Sequence, residues 1–187
     1  METRIKLCLS LAAIAAIGAF PATAAAEETT CQGSIGAQTL DNVRVPQGAE
    51  CVLADTYIQG TVKVEQDATL RARGVRVVGN VQGENARRVN VVRRSRVGGS
   101  VQVVQGGAAQ VRRSRIDGDI LYDENNEFLR VRRTRVGGSV QAFQNTGGVE
   151  IADNIINGNL QCKENEPAPD GGGNQVGGNK EDQCAPL

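Results

Sequence analysis

Histidine and tryptophan are absent from this chain of 187 residues, and its aromatics are two Tyr and three Phe. Without imidazole there is no Ser-His-Asp triad, no Cys-His pair and no imidazole metal site. With aromatics at 3%, stacking platforms for sugars or unpaired bases are not expected. The cysteines show no CxxC spacing, which removes the usual zinc frameworks. No segment carries an apolar stripe at helical spacing, so the pattern excludes a helical body. Charge of one sign is also missing overall, since 21 Lys and Arg balance 21 Asp and Glu.

The chain begins with a short basic start, Arg4 and Lys6, before an apolar stretch from Leu7 to Phe20. Pro21-Ala22-Thr23-Ala24-Ala25-Ala26 then supplies small residues for cleavage after Ala24 or Ala26. Residues 1–26 therefore read as a secretory signal peptide; the stretch is shorter than the roughly 20 apolar residues of a membrane span. Export predicts a secreted or periplasmic protein. Cys8 falls within the signal, which leaves Cys31, Cys51, Cys162 and Cys184. An even count in an exported chain reads as disulfides. Four cysteines allow three pairings, and position favours Cys31–Cys51 and Cys162–Cys184, one pair near each end. Each would close a loop of about 20 residues, worth roughly 3 kcal/mol in the chain-entropy account.

One five-residue pattern, apolar-x-Gly-polar-apolar, organises the rest. Its glycines are Gly60, Gly79, Gly99, Gly118, Gly138 and Gly158, at offsets of 19, 20, 19, 20 and 20, with an echo at Gly178. Apolar residues alternate around each motif, as in Val97, Val101 and Val103, which is the signature of a strand with one buried face. A second apolar pair precedes each motif, for example Val89 and Val91 or Leu129 and Val131. Gly106-Gly107, Asn125-Asn126 and Gly147-Gly148 read as turns between them. Two or three short strands per repeat cannot bury an apolar edge alone, whereas stacked repeats can.

The fold class expected is all-β: a short right-handed parallel β-helix of about 20 residues per coil and roughly six to seven coils. Its glycines would let the backbone bend at a corner. Residues 27–52 would form an N-terminal cap, 53–162 the repeats and 163–187 a C-terminal cap. Disulfide-closed caps would hide the strand edges and predict a monomer.

The apolar-x-Gly-Asn-Val pattern resembles the bactofilin group of β-helical proteins, which polymerise into cytoskeletal filaments. The chain is similar also to a class of exported bacterial β-helix proteins of unknown function. That likeness lies in Asn42-Val43-x-Val45-Pro46-x-Gly48-Ala49-x-Cys51-x-Leu53 and in Gly158-Asn159-Leu160-Gln161-Cys162. It continues in Pro167-Ala168-Pro169-x-Gly171-Gly172-Gly173-Asn174-x-Val176-Gly177-Gly178-Asn179-Lys180-x-x-Gln183-Cys184. The resemblance implies the solenoid and no activity. Unlike a bactofilin, this chain has a signal peptide and paired cysteines at its ends.

Charge is unevenly placed. Residues 71–135 hold 15 Arg against six acids, a net of +9, while 27–70 and 136–187 each carry two basic and seven acidic residues, a net of −5. Within the belt, Arg93-Arg94-Ser95-Arg96, Arg112-Arg113-Ser114-Arg115 and Arg132-Arg133-Thr134-Arg135 recur at offsets of 19 and 20. Each quartet precedes a motif, so stacking predicts columns of Arg, with Arg94 and Arg96 outward, Ser95 inward and Arg93 in the turn. Arg73 and Arg76 would extend the patch. Stacked like charges repel, and guanidinium forks suit carboxylate, phosphate and sulfate. The pattern predicts a face for an extended polyanion: an acidic polysaccharide, lipopolysaccharide, teichoic acid or extracellular DNA. The plainer reading is a solvated surface screened by salt and by Asp117, Asp119 and Glu127.

Asp117-x-Asp119 with Asp123 and Glu124 could hold a hard cation, but the favoured reading is two polar residues flanking a turn glycine. The expectation is therefore no metal, no cofactor and no catalytic residue. The function predicted is a non-enzymatic, exported binding or surface-structural module. Its alternatives are bactofilin-like self-assembly and, less supported, an acidic-polysaccharide lyase.

Overall fold

The computed structural model describes residues 27–187; the signal peptide expected over residues 1–26 lies outside the described residues. The chain winds as a parallel β-solenoid with three sheets running along the rod. Face 1 has nine strands, from Glu28–Thr30 to Lys180–Asp182. Face 2 has eight, from Gly33–Ile35 to Asp170–Gly172. Face 3 has eight two-residue strands, from Thr39–Leu40 to Gln175–Val176. Each coil visits faces 1, 2 and 3 in turn, and all ladders are parallel.

Alternation places one apolar set inside. On face 1, Val43, Val62, Val81, Val101, Ile120, Val140 and Leu160 stack in register, each no more than 1% exposed. Face 3 contributes Ile58, Val77, Val97, Ile116, Val136 and Ile156. Burial of one such side chain is worth about 1.5–3 kcal/mol. Tyr122, the largest fully buried side chain, stands beside Ala142 in the ladder, so bulk and lack of it alternate.

The rod has about eight coils, more than the motif count suggests, because both presumed caps are themselves coils. In the first coil, Leu40-Asp41-Asn42-Val43 aligns with Ile58 to Val62 but omits the glycine. In the last, Asp170-Gly171-Gly172 stands where other coils carry apolar alternation.

The motif glycines act by close approach rather than by an unusual φ. A Cβ at Gly79 would lie 2.7 Å from the Gly60 carbonyl oxygen and from Thr61 Oγ1. Those oxygens belong to a ladder at the corner between faces 3 and 1. Asn42, Thr61, Asn80, Ser100, Asp119, Ser139, Asn159 and Asn179 follow one another, each side-chain oxygen accepting the next residue's N–H at 2.7–3.3 Å. The polar residue after each motif glycine is thus a structural acceptor.

Disulfides join Cys31 to Cys51 and Cys162 to Cys184, with Cα separations of 5.6 and 5.1 Å. All four cysteines are buried, so each bridge plugs one end of the core. At the C-terminal end Leu187 also joins the core cluster, and Lys180 Nζ donates to its carbonyl at 2.6 Å. The strand edges at that end are not hidden as expected: Asp170–Gly172, Gln175–Val176 and Lys180–Asp182 pair on one side only. They are short, charged or glycine-rich, which blunts edge pairing by other means.

Candidate functional site

The corner between faces 2 and 3 carries the arginines. On its inner side Thr56, Ser95, Ser114, Thr134, Asn154 and Asn174 are buried. Ser95 Oγ bonds the Val92 carbonyl at 2.7 Å and accepts from the Val75 N–H at 3.3 Å. Asn154 Oδ1 accepts from the Thr134 N–H at 3.0 Å. These inward polar groups satisfy the backbone as it turns, which forces the residues on either side of each one outward.

Outside, the arginines form three ladders. Arg76, Arg96, Arg115 and Arg135 are register partners along face 3, so Arg76 does extend the patch. Arg94, Arg113 and Arg133 occupy the tight turn with φ of 66°, 48° and 52°. Their neighbours at the same turn are Asp55 and Gly74 on one side and Asp153 and Gly173 on the other. Arg112 and Arg132 pair at the end of face 2, but their next register partner is Val92, with Arg73 beyond it.

This corrects one expectation. The quartets do not all occupy the same place, because the coil holding Arg93 has one extra residue at this corner. Face 2 steps by 20 between Val92 and Arg112, whereas face 3 steps by 19 between Arg96 and Arg115. Arg93 and Arg94, at φ 62° and 66°, take up the difference between them.

Seven of the nine quartet arginines are exposed, and Arg112 and Arg132 are half-buried. Arg96 and Arg115 share Asp117: Arg96 Nη2 lies 3.0 Å from Oδ2, and Arg115 Nε lies 2.6 Å from Oδ1. Burial would raise the Asp117 carboxyl, but the hydrogen bonds and charges of Arg115 and Arg96 outweigh it and hold the pKa below 3.8. Arg132 and Arg133 reach Asp153 at 3.3 and 3.6 Å, and Arg132 also meets Glu150 at 3.6 Å. Among the described residues, Arg93, Arg94, Arg112, Arg113 and Arg135 have no carboxylate oxygen within 4.0 Å. Four guanidinium groups, those of Arg112, Arg113, Arg132 and Arg133, line a small cleft of about 110 Å³. Two aromatic rings each carry a guanidinium over one face: Arg76 sits 5.5 Å from the Tyr57 centroid and Arg130 sits 5.0 Å from that of Phe128.

The acidic set considered for a cation is not brought together. Asp117 is held by arginines, while Asp119 serves the corner ladder, accepting from the Ser139 N–H. Asp123 ends a face 1 strand, and Glu124 begins the following turn. Burial, then the neighbouring Glu124 charge, pushes the Asp123 carboxyl above its ordinary range. Among the described residues, no three His, Cys, Asp or Glu side chains group as metal ligands, and no helix is long and apolar enough to cross a membrane.

Sequence reading missed one polar column. Asn125, Asn145 and Asn165, at the corner between faces 1 and 2, are buried rather than in solvated turns. Asn125 Nδ2 donates to Asn145 Oδ1 at 3.0 Å, and Asn145 Nδ2 donates to Asn165 Oδ1 at 2.8 Å. Their exact 20-residue repetition was the available signal. Comparison with protein-family models, with curated proteins and with solved structures finds no match.

Proposed function

We propose that the protein is an exported, non-catalytic binding module whose arginine corner holds an extended polyanion along the rod axis. The observation that carries this reading is the stacking of donor-only groups. Guanidinium has five N–H donors and no acceptor, so one arginine cannot satisfy the next. Ladders of like charge at strand spacing repel unless an anion lies among them. The chain's own carboxylates meet part of that need, at Asp117, Glu150 and Asp153, and leave five quartet arginines without one. Export is supported by the expected signal peptide and by two disulfides of the kind oxidising compartments sustain. A monomer is supported by the plugged core and the charged or glycine-rich edge strands at the C-terminal end.

The test is a panel of immobilised polyanions, namely a sulfated glycan, a polyuronate, lipopolysaccharide and duplex DNA, probed at low and moderate salt. Binding should fall steeply with salt, and replacing all nine quartet arginines by Gln should abolish it. Binding indifferent to salt, or kept by the nine-fold variant, would overturn the reading.

A further inference from the structure

The face 3 ladder contains a chemical template for its ligand. Two residues after each arginine, on the same outward side, stand Val78, Gly98, Asp117 and Gly137 in successive coils. At Asp117 this position holds a carboxylate between two stacked guanidinium groups, with Arg96 Nε and Nη2 on one oxygen and Arg115 Nε on the other. The neighbouring coils repeat the arginines without the carboxylate. Arg115 and Arg135 flank Gly137, where a cleft of about 140 Å³ is lined by those arginines, Gly137, Ile155 and Asn157. Arg76 and Arg96 flank Gly98 in the same register. A side chain cannot fill either gap from within: a Cβ on Gly98 or Gly137 would strike the Val78 or Asp117 carbonyl oxygen. Arg115 spends its Nε on Asp117 and keeps its terminal nitrogens, Arg96 spends Nε and Nη2 there and keeps Nη1, and Arg135 is wholly unengaged by carboxylates among the described residues.

We propose that the gaps beside Gly98 and Gly137 are seats for ligand carboxylates, and that the ligand is a linear polysaccharide carrying a uronic acid on alternate sugars. This rests on the polyanion-binding reading and names its ligand class. The chemistry is that of Asp117, a planar carboxylate bridging two guanidinium forks. The spacing follows from the coils. Open seats lie two coils apart, roughly 9.6 Å at the usual strand separation, with the chain's own carboxylate in the seat between them. A disaccharide repeat covers that distance. An extended peptide strand presents same-side carboxylates about every 6.7 Å and falls out of register. Single-stranded nucleic acid would want open aromatic faces, whereas Tyr57, next in this ladder, lies under Arg76.

Binding of hyaluronan (uronate alternating with a neutral sugar), polygalacturonate (uronate at every position), a sulfated glycan and poly-L-glutamate to the disulfide-bonded mature protein tests this. Hyaluronan should bind more tightly than polygalacturonate, whose middle carboxylate meets Asp117. Arg135→Gln should weaken hyaluronan about tenfold, the order expected for one lost charge-assisted contact, with an unchanged melting curve. The double substitution Arg112→Gln/Arg113→Gln, off this ladder, should weaken it less. Asp117→Asn should remove the charge that opposes the middle carboxylate and raise polygalacturonate affinity more than hyaluronan affinity. Preference for polygalacturonate in the native protein, equal gains in Asp117→Asn, or tighter binding of poly-L-glutamate would each overturn the assignment. If only the sulfated glycan binds, with steep salt dependence, the uronate seats fail while the polyanion reading stands. If none of the polymers binds, both fail.

Discussion

Along one corner of the rod Asn125, Asn145 and Asn165 stand in a column, and along the next Arg94, Arg113 and Arg133 do the same. Both columns come from stacking one residue type over itself, yet their chemistry diverges. An amide is donor and acceptor at once. Each Asn therefore satisfies the next, and also bonds a carbonyl such as Val103 or Tyr122 at 2.9–3.1 Å. The column can be buried and closes on itself. A guanidinium only donates, so its column must stay at the surface and look outward for acceptors. Repetition builds structure from amides and an outward-facing cationic surface from guanidinium groups.

The largest effect should follow from breaking the amide column. Asn145→Leu leaves the Asn125 N–H unpaired inside the rod and removes the amide bond to the Tyr122 carbonyl, which should cost about 2–3 kcal/mol by chemical denaturation. A loss below about 1 kcal/mol would mean that the column does not carry this corner. The core beside it should set an alkaline limit. Burial raises the Tyr122 hydroxyl far above its usual pKa of 10.0. Above pH 10 the unfolded chain loses that proton while the folded chain keeps it, so stability should fall by up to about 1.4 kcal/mol per pH unit. Tyr122→Phe should remove that component from a pH series of melting curves.

The arginine corner should respond in the opposite sense. Replacing Arg94, Arg113 and Arg133 together by Gln should stabilise the fold by about 0.5–1 kcal/mol at low salt, with the gain fading near 1 M salt. Destabilisation would show that the column already draws net support from the protein. Asp117 should give the smallest change. Its depressed pKa contributes stability above 3.8 that disappears as pH falls through the folded value. Asp117→Asn should flatten that acid shoulder without moving the alkaline limb.

Much of this was legible in the sequence because a solenoid repeats its instructions. The motif spacing, the inward Ser95 and the outward arginines follow from period and alternation, and both disulfides from the even cysteine count and their placement near each end. Three features were hidden for physical reasons. The first coil dispenses with the glycine because Asn42 serves the ladder without it, and the last replaces apolar residues with glycines. The slip at Arg93-Arg94 needs knowledge of which corner takes up an extra residue, and three consecutive arginine quartets mask it. Buried Asn125 resembles any turn asparagine until its neighbours at 145 and 165 are seen to lie above it.

In a stacked rod each coil meets chiefly the coils before and after it. The number of guanidinium groups in each ladder is therefore an integer fixed by coil count. Duplicating residues 113–132, one full step of the register that joins Arg115 to Arg135, would lengthen each arginine ladder by one guanidinium without redesigning any contact. Deleting a coil would shorten them by the same unit. Ladder length is thus a heritable quantity, adjustable by the same unequal duplication that makes a repeat in the first place.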